Sequence, residues 1–119
     1  RNTMIASDFV GIVSAKNDPQ KMQKAGWNVA KAEHINAPVF TNFPMTLECR
    51  IIEKIGESPE GYNIVAEIVN VLVDENYLGE DGKPDVEKMQ LITFDPVHLG
   101  YIELGKRVGN AFADGRAMK

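Results

Sequence analysis

At 119 residues the chain has room for one domain, and 44% apolar with 25% charged residues is ordinary for a globular protein. A net charge of -4 argues against a nucleic-acid partner, which is met by surplus Lys and Arg; no apolar run approaches the ~20 residues of a membrane span. The single cysteine, Cys49, excludes an internal disulfide and a cysteine metal cluster, and it fits a reducing cytoplasm.

In chain order, Ser7-Asp8 reads as a helix N-cap ahead of a short apolar helical turn over 9–14. Asn17-Asp18-Pro19 is a stronger start signal: a capping residue, then Pro at the first helical position. It predicts a helix over 19–25 that stops at Gly26. Residues 27–33 read as extended, and the proline-bracketed 39–44 as a short connector. The next stretch dominates the chain. Over 45–55, Met45, Leu47, Cys49 and Ile51 alternate with Thr46, Glu48 and Arg50, the period-two pattern of a strand with one buried face. Over 62–74 both faces are apolar: Ile64, Ala66, Ile68 and Leu72 on one, Val65, Val69, Val71 and Val73 on the other. The polar, turn-rich 56–61 between them makes an antiparallel hairpin, with Cys49 and Ile68 expected in the core.

Residues 75–84 are acidic and turn-rich, and 85–89 suit one helical turn. Two short strands are predicted over 91–94 and 99–103, then a helix-like spacing over 104–112 interrupted by Gly105 and Gly109, then a frayed tail. That gives about four strands, fewer than a closed barrel needs. The fold looks incomplete.

Few residues advertise chemistry. Cys49 on an apolar strand face reads as a structural thiol, and His34 and His98 lack partners at metal-ligand spacing. Asp95, three residues before His98 across Pro96, reads as turn chemistry. Glu57, Glu60, Glu75, Glu80 and Asp81 read as solvated loop carboxylates. Lys16, Lys21 and Lys24 are either an anion clamp around a helix start or three solvated lysines. Trp27, Tyr62, Phe94 and Tyr101 are either core or a platform for a planar ligand.

Seven short motifs then keep order and spacing along the chain: Asp8-Phe-Val-Gly-Ile-Val-Ser14, Lys21-Met with Ala25-Gly26, Ala37-Pro38, Leu47-Glu-Cys49, Ala66-Glu-Ile-Val69, Phe94-Asp-Pro, and Tyr101-x-x-Leu-Gly105 with Val108-Gly109. Together they resemble the flavin reductase-like, FMN-binding split-barrel family, which includes flavoredoxin. The resemblance implies a mainly β fold with short helices, a partial split barrel of antiparallel strands forming one domain over 1–119. Family members carry further strands ahead of the Asp8 motif, so the chain is expected to lack its N-terminal strands. It implies FMN as cofactor, electron transfer between NAD(P)H or a redox partner and flavin, and a homodimer with the flavin near the subunit interface. Lys21 matches a lysine placed near the FMN phosphate, Phe94 an aromatic position near the flavin, and Tyr62 a position where some members have His. The alternative is a non-catalytic, truncated dimerisation module with weak or no flavin binding.

Overall fold

Three antiparallel hairpins carry the chain in a computed structural model that describes residues 1–58 and 61–118, without the side chains of 57 and 58. The first pairs β1 (Val29–Lys31) with β2 (Pro38–Phe40), the second β3 (Met45–Ser58) with β4 (Gly61–Val73), and the third β5 (Ile92–Asp95) with β6 (Gly100–Glu103). Each is a sheet of two strands. Helix α1 (Met4–Ile12) opens the chain, α2 (Lys21–Lys24) follows, and α3 (Val86–Met89) precedes the third hairpin. The architecture is therefore mostly β, antiparallel, with short helices. Pro59 and Glu60, the predicted loop tip with its carboxylate, lie outside the described residues.

The two connectors on either side of residue 35 are better ordered than their mixed composition suggests. Backbone bonds from Ala32 to Ala37 (3.0 Å) and from Thr41 to Asn28 (3.0 Å) extend their ladder at both ends. Trp27 packs against Phe40 and Phe43, with ring centroids 5.1 and 5.0 Å apart. Trp27 thus belongs to packing, not to a ligand platform.

The long hairpin pairs as predicted, and Cys49 lies directly opposite Ile68. Its faces, however, differ from strict alternation. The register jumps between the pairs Glu48↔Asn70 and Cys49↔Ile68, leaving Val69 as an extra residue on β4. A bulge of this kind switches the side on which every later residue falls. Val71 and Val73 therefore join Ile68 and Ala66 opposite Leu47, Met45, Cys49 and Ile51, while Leu72 moves to the face of Thr46, Glu48 and Arg50.

The expected burial is also corrected. Cys49 is half-buried and Ile68 is 56% exposed, as are most of their apolar neighbours on that face. The covered face is the polar one. Glu48, at 1% exposure, accepts hydrogen bonds from the backbone N–H groups of Glu33 (3.4 Å) and His34 (2.9 Å) and from the Asn70 amide (3.3 Å). The loop of the first hairpin thus sits on the polar face of the second. Among the described residues only Ala32, Val39 and Met89 are buried apolar side chains, so the chain supplies no layer for its broadest apolar surface.

Three local expectations also change. The first helix starts at Met4 rather than after Asp8, the Pro19 helix contracts to α2, and 104–110 is irregular where a helical spacing was read. Gly105 and Gly109 explain the last, since each adds backbone freedom that a helix must freeze.

Candidate functional site

The third hairpin sets two aromatic rings side by side. Phe94 and Tyr101 are direct cross-strand partners, so the register alone places their side chains on one face. Their centroids are 5.9 Å apart and their planes tilt by 59°. Both remain about half exposed, Phe94 at 53% and Tyr101 at 43%. Two tilted, open rings form a corner: a planar molecule lying on one meets the other along its edge.

Helix α1 fixes that corner. The Tyr101 hydroxyl donates to the Asp8 carboxylate at 2.7 Å, across 93 residues of chain. This bond raises the ionisation of the phenol above its ordinary value, helped by partial burial and by the Asp8 charge itself. The cap expected at Asp8 is not formed; mid-helix, its side chain is free to reach out of α1.

The other end of α1 meets Lys21. Its ammonium donates to the carbonyls of Val10 (2.9 Å) and Val13 (2.8 Å), which the helix end leaves without intrahelical partners. A lysine at a helix C-terminus also meets the negative end of the helix dipole. Lys21 is therefore a helix cap first, with one N–H remaining for a ligand. Within the predicted basic cluster, Lys24 pairs with Asp18 at 2.6 Å, and Asp18 also accepts from Gln20 N–H. The Lys24 contact leads in holding the Asp18 carboxyl below the usual range. Lys16 has no ammonium partner among the described residues.

Tyr62 is engaged elsewhere. Its ring lies under the Lys54 ammonium, 4.7 Å from the centroid, on the long hairpin. Among the described residues no hydrogen bond or ring contact joins it to Phe94 or Lys21. Tyr101, the ring beside Phe94, and Lys21 thus both bond to α1, while Tyr62 stands apart on the long hairpin.

Two further features lie outside this arrangement. At the tip of the third hairpin, Asp95 accepts from Val97 N–H (2.9 Å) and pairs with the His98 ring at 2.8 Å. The His98 contact, then the Val97 N–H, hold the Asp95 carboxyl below its ordinary range. This is the turn chemistry expected there. A cleft of about 780 Å³ also opens between the acidic turn and the strand-less 105–108 segment, lined by Asp81, Lys83, Glu87, Lys106 and Arg107 among others. Glu87 accepts from Arg107 N–H at 2.9 Å and ties its two walls together. The cleft contains none of Lys21, Phe94 or Tyr62.

The fold has close counterparts. The chain is similar to the flavoredoxin of Desulfovibrio vulgaris (Miyazaki F), at 33% identity with a TM-score of 0.86 over 97% of this chain and 60% of that one. The chain belongs to the flavin reductase-like, flavoredoxin-like split-barrel family. A second flavoredoxin, from Methanosarcina acetivorans, is 28% identical with a TM-score of 0.85, over 99% of this chain and 61% of that one. Nitrilotriacetate monooxygenase component B from Bacillus cereus, at 17% identity and a TM-score of 0.70, covers 90% of this chain and 54% of that one, and it shows the same fold. No family model matches the sequence, and no curated protein matches it. The chain spans about 60% of the flavoredoxin chains it matches, so its hairpins form a partial split barrel.

Proposed function

We propose that this chain is the greater part of a flavoredoxin-like protein that binds FMN and passes electrons between NAD(P)H, or a redox partner, and the flavin. The observation that carries the reading is the match to flavoredoxin along 97% of the chain, at an identity too high for fold alone. The local chemistry supports it. A corner of two half-exposed rings suits a planar tricycle, and Lys21, bonded to the end of the helix whose Asp8 holds Tyr101, has one N–H for a phosphate oxygen. FMN, when bound, supplies the one- and two-electron chemistry; the chain's residues hold and orient it. Phe94 offers the stacking face, Tyr101 the side wall, and α1 the strut joining both to Lys21. Tyr62 serves in this reading only if a second copy brings it to the corner.

The exposed apolar face of the long hairpin supports assembly into a homodimer, since contiguous apolar patches mark interfaces. The same face favours the second reading, a dimerisation module that binds flavin weakly or not at all. Titrating the chain with FMN and following the visible spectrum and flavin fluorescence decides between them. A saturable perturbation supports the first; a flat titration with a stable dimer supports the second.

A further inference from the structure

The geometry points to Tyr101 as a hydrogen-bond acceptor that reads an N–H on the edge of a planar ring stacked on Phe94, with Asp8 as its positioning residue. This deepens the flavin reading and rests on it. A phenol has one hydrogen and two lone pairs. In this structure the hydrogen is engaged by Asp8 at 2.7 Å, so toward a ligand the oxygen can only accept. The neighbouring carboxylate makes that oxygen a better acceptor, because a hydrogen bond to an anion polarises the donor. It also keeps the phenol protonated well above neutral pH. The 59° tilt between the rings matters as much as the bond: a ligand flat on Phe94 cannot also lie flat on Tyr101, so it meets Tyr101 by its edge.

The chemical class this selects is a planar heterocycle with an imide or amide N–H on its rim. The isoalloxazine ring has such a group at N3. A wall that accepts but does not donate would discriminate against a ring methylated at that nitrogen.

The test uses the 119-residue chain, FMN and N3-methyl-FMN, with binding followed by flavin fluorescence and the visible spectrum. One net hydrogen bond corresponds to a preference of about threefold to tenfold for FMN. Tyr101→Phe should remove that preference by weakening FMN binding while leaving N3-methyl-FMN unchanged; relief of a clash would instead tighten the methylated ligand alone. Asp8→Asn, whose amide oxygen still accepts from the phenol, should keep most of the preference, and Asp8→Ala should lose it. Ultraviolet titration of the tyrosines checks the pair without flavin: one tyrosine should ionise at lower pH in Asp8→Ala than in the parent. If the parent binds both flavins equally, or Tyr101→Phe keeps the preference, the inference is overturned while the flavin reading stands. If the parent binds neither flavin, the flavin reading falls and this inference falls with it.

Discussion

Lys21 shows how one side chain can serve structure and ligand together. Two of its N–H groups close the end of α1, which leaves one direction for a phosphate oxygen. Replacing it with alanine should weaken FMN binding by roughly tenfold to a hundredfold, the range for one charge-assisted contact. The same change uncovers two carbonyls, so the melting temperature should fall as well. A variant that melts earlier but binds FMN unchanged would reduce Lys21 to a helix cap. Glu48 makes a different demand. Burial pushes its carboxyl upward, yet the N–H groups of His34 and Glu33, the Asn70 amide and the nearby His34 ring outweigh burial and hold it low. A carboxyl depressed on folding binds fewer protons in the native state than in the unfolded chain. Its contribution is present above the ordinary glutamate range, about pH 4.3, and is lost as pH falls through the lowered folded value. Melting temperature against pH should therefore drop steeply below about pH 4 in the parent and less steeply in Glu48→Gln. Parallel acid limbs would show that Glu48 is not the group titrating.

Among the elements, the long hairpin was the most legible and its faces the least. Alternation from Met45 to Ile51 fixed the first strand, and the continuous apolar run after Tyr62 announced the second. Nothing in the β-branched run distinguishes Val69 from its neighbours, so the bulge there could not be read, and the face assignment of Leu72, Val71 and Val73 went with it. Burial failed for another reason: periodicity says which face is apolar, not what covers it. The family motifs singled out Lys21 and Phe94 as expected flavin contacts, and contained Tyr101 without a role. The link from Asp8 to Tyr101 stayed hidden because the two lie 93 residues apart, beyond any local pattern. Since Ile68 is more than half exposed, Ile68→Lys should leave the chain's secondary structure intact while reducing self-association at least tenfold by sedimentation. Loss of the β signal in circular dichroism would instead place Ile68 in a core. The third hairpin carries a local strain, Leu99 at φ 52 with a side chain 78% exposed. Glycine there relieves about 1–2 kcal/mol of left-handed strain and costs about 0.5–1 kcal/mol of unfolded-chain entropy. Leu99→Gly should raise the melting temperature by a few degrees, roughly 2–4 °C. A lower melting temperature would mean that the Leu99 side chain is held by contacts outside this chain.

At the scale of the molecule, the apolar layer is turned outward. The loop of the first hairpin covers the polar side of the second, while Met45, Leu47, Ile51, Ile68 and Val71 face away at 38–56% exposure. About two fifths of each flavoredoxin chain lies outside the match, enough chain to add a layer. A hydrophobic dye should therefore bind the 119-residue chain strongly and be displaced as protein concentration rises and copies associate. Dye binding independent of concentration would remove this face from the interface. The two-stranded sheets have a further consequence, readable by deuterium. Among the described residues no sheet has a central strand, so each strand pairs along one side only, and along an antiparallel pair alternate residues point their N–H groups inward and outward. In the free chain, β3 and β4 should show a two-residue rhythm of slow and fast amide exchange, broken at Val69 on β4, at Ile52 on β3 and again beyond Ile55. Where another strand attaches, the fast set along that edge should slow and the rhythm disappear. The pattern would thus name the edge that receives the partner, residue by residue, without any structure of the complex.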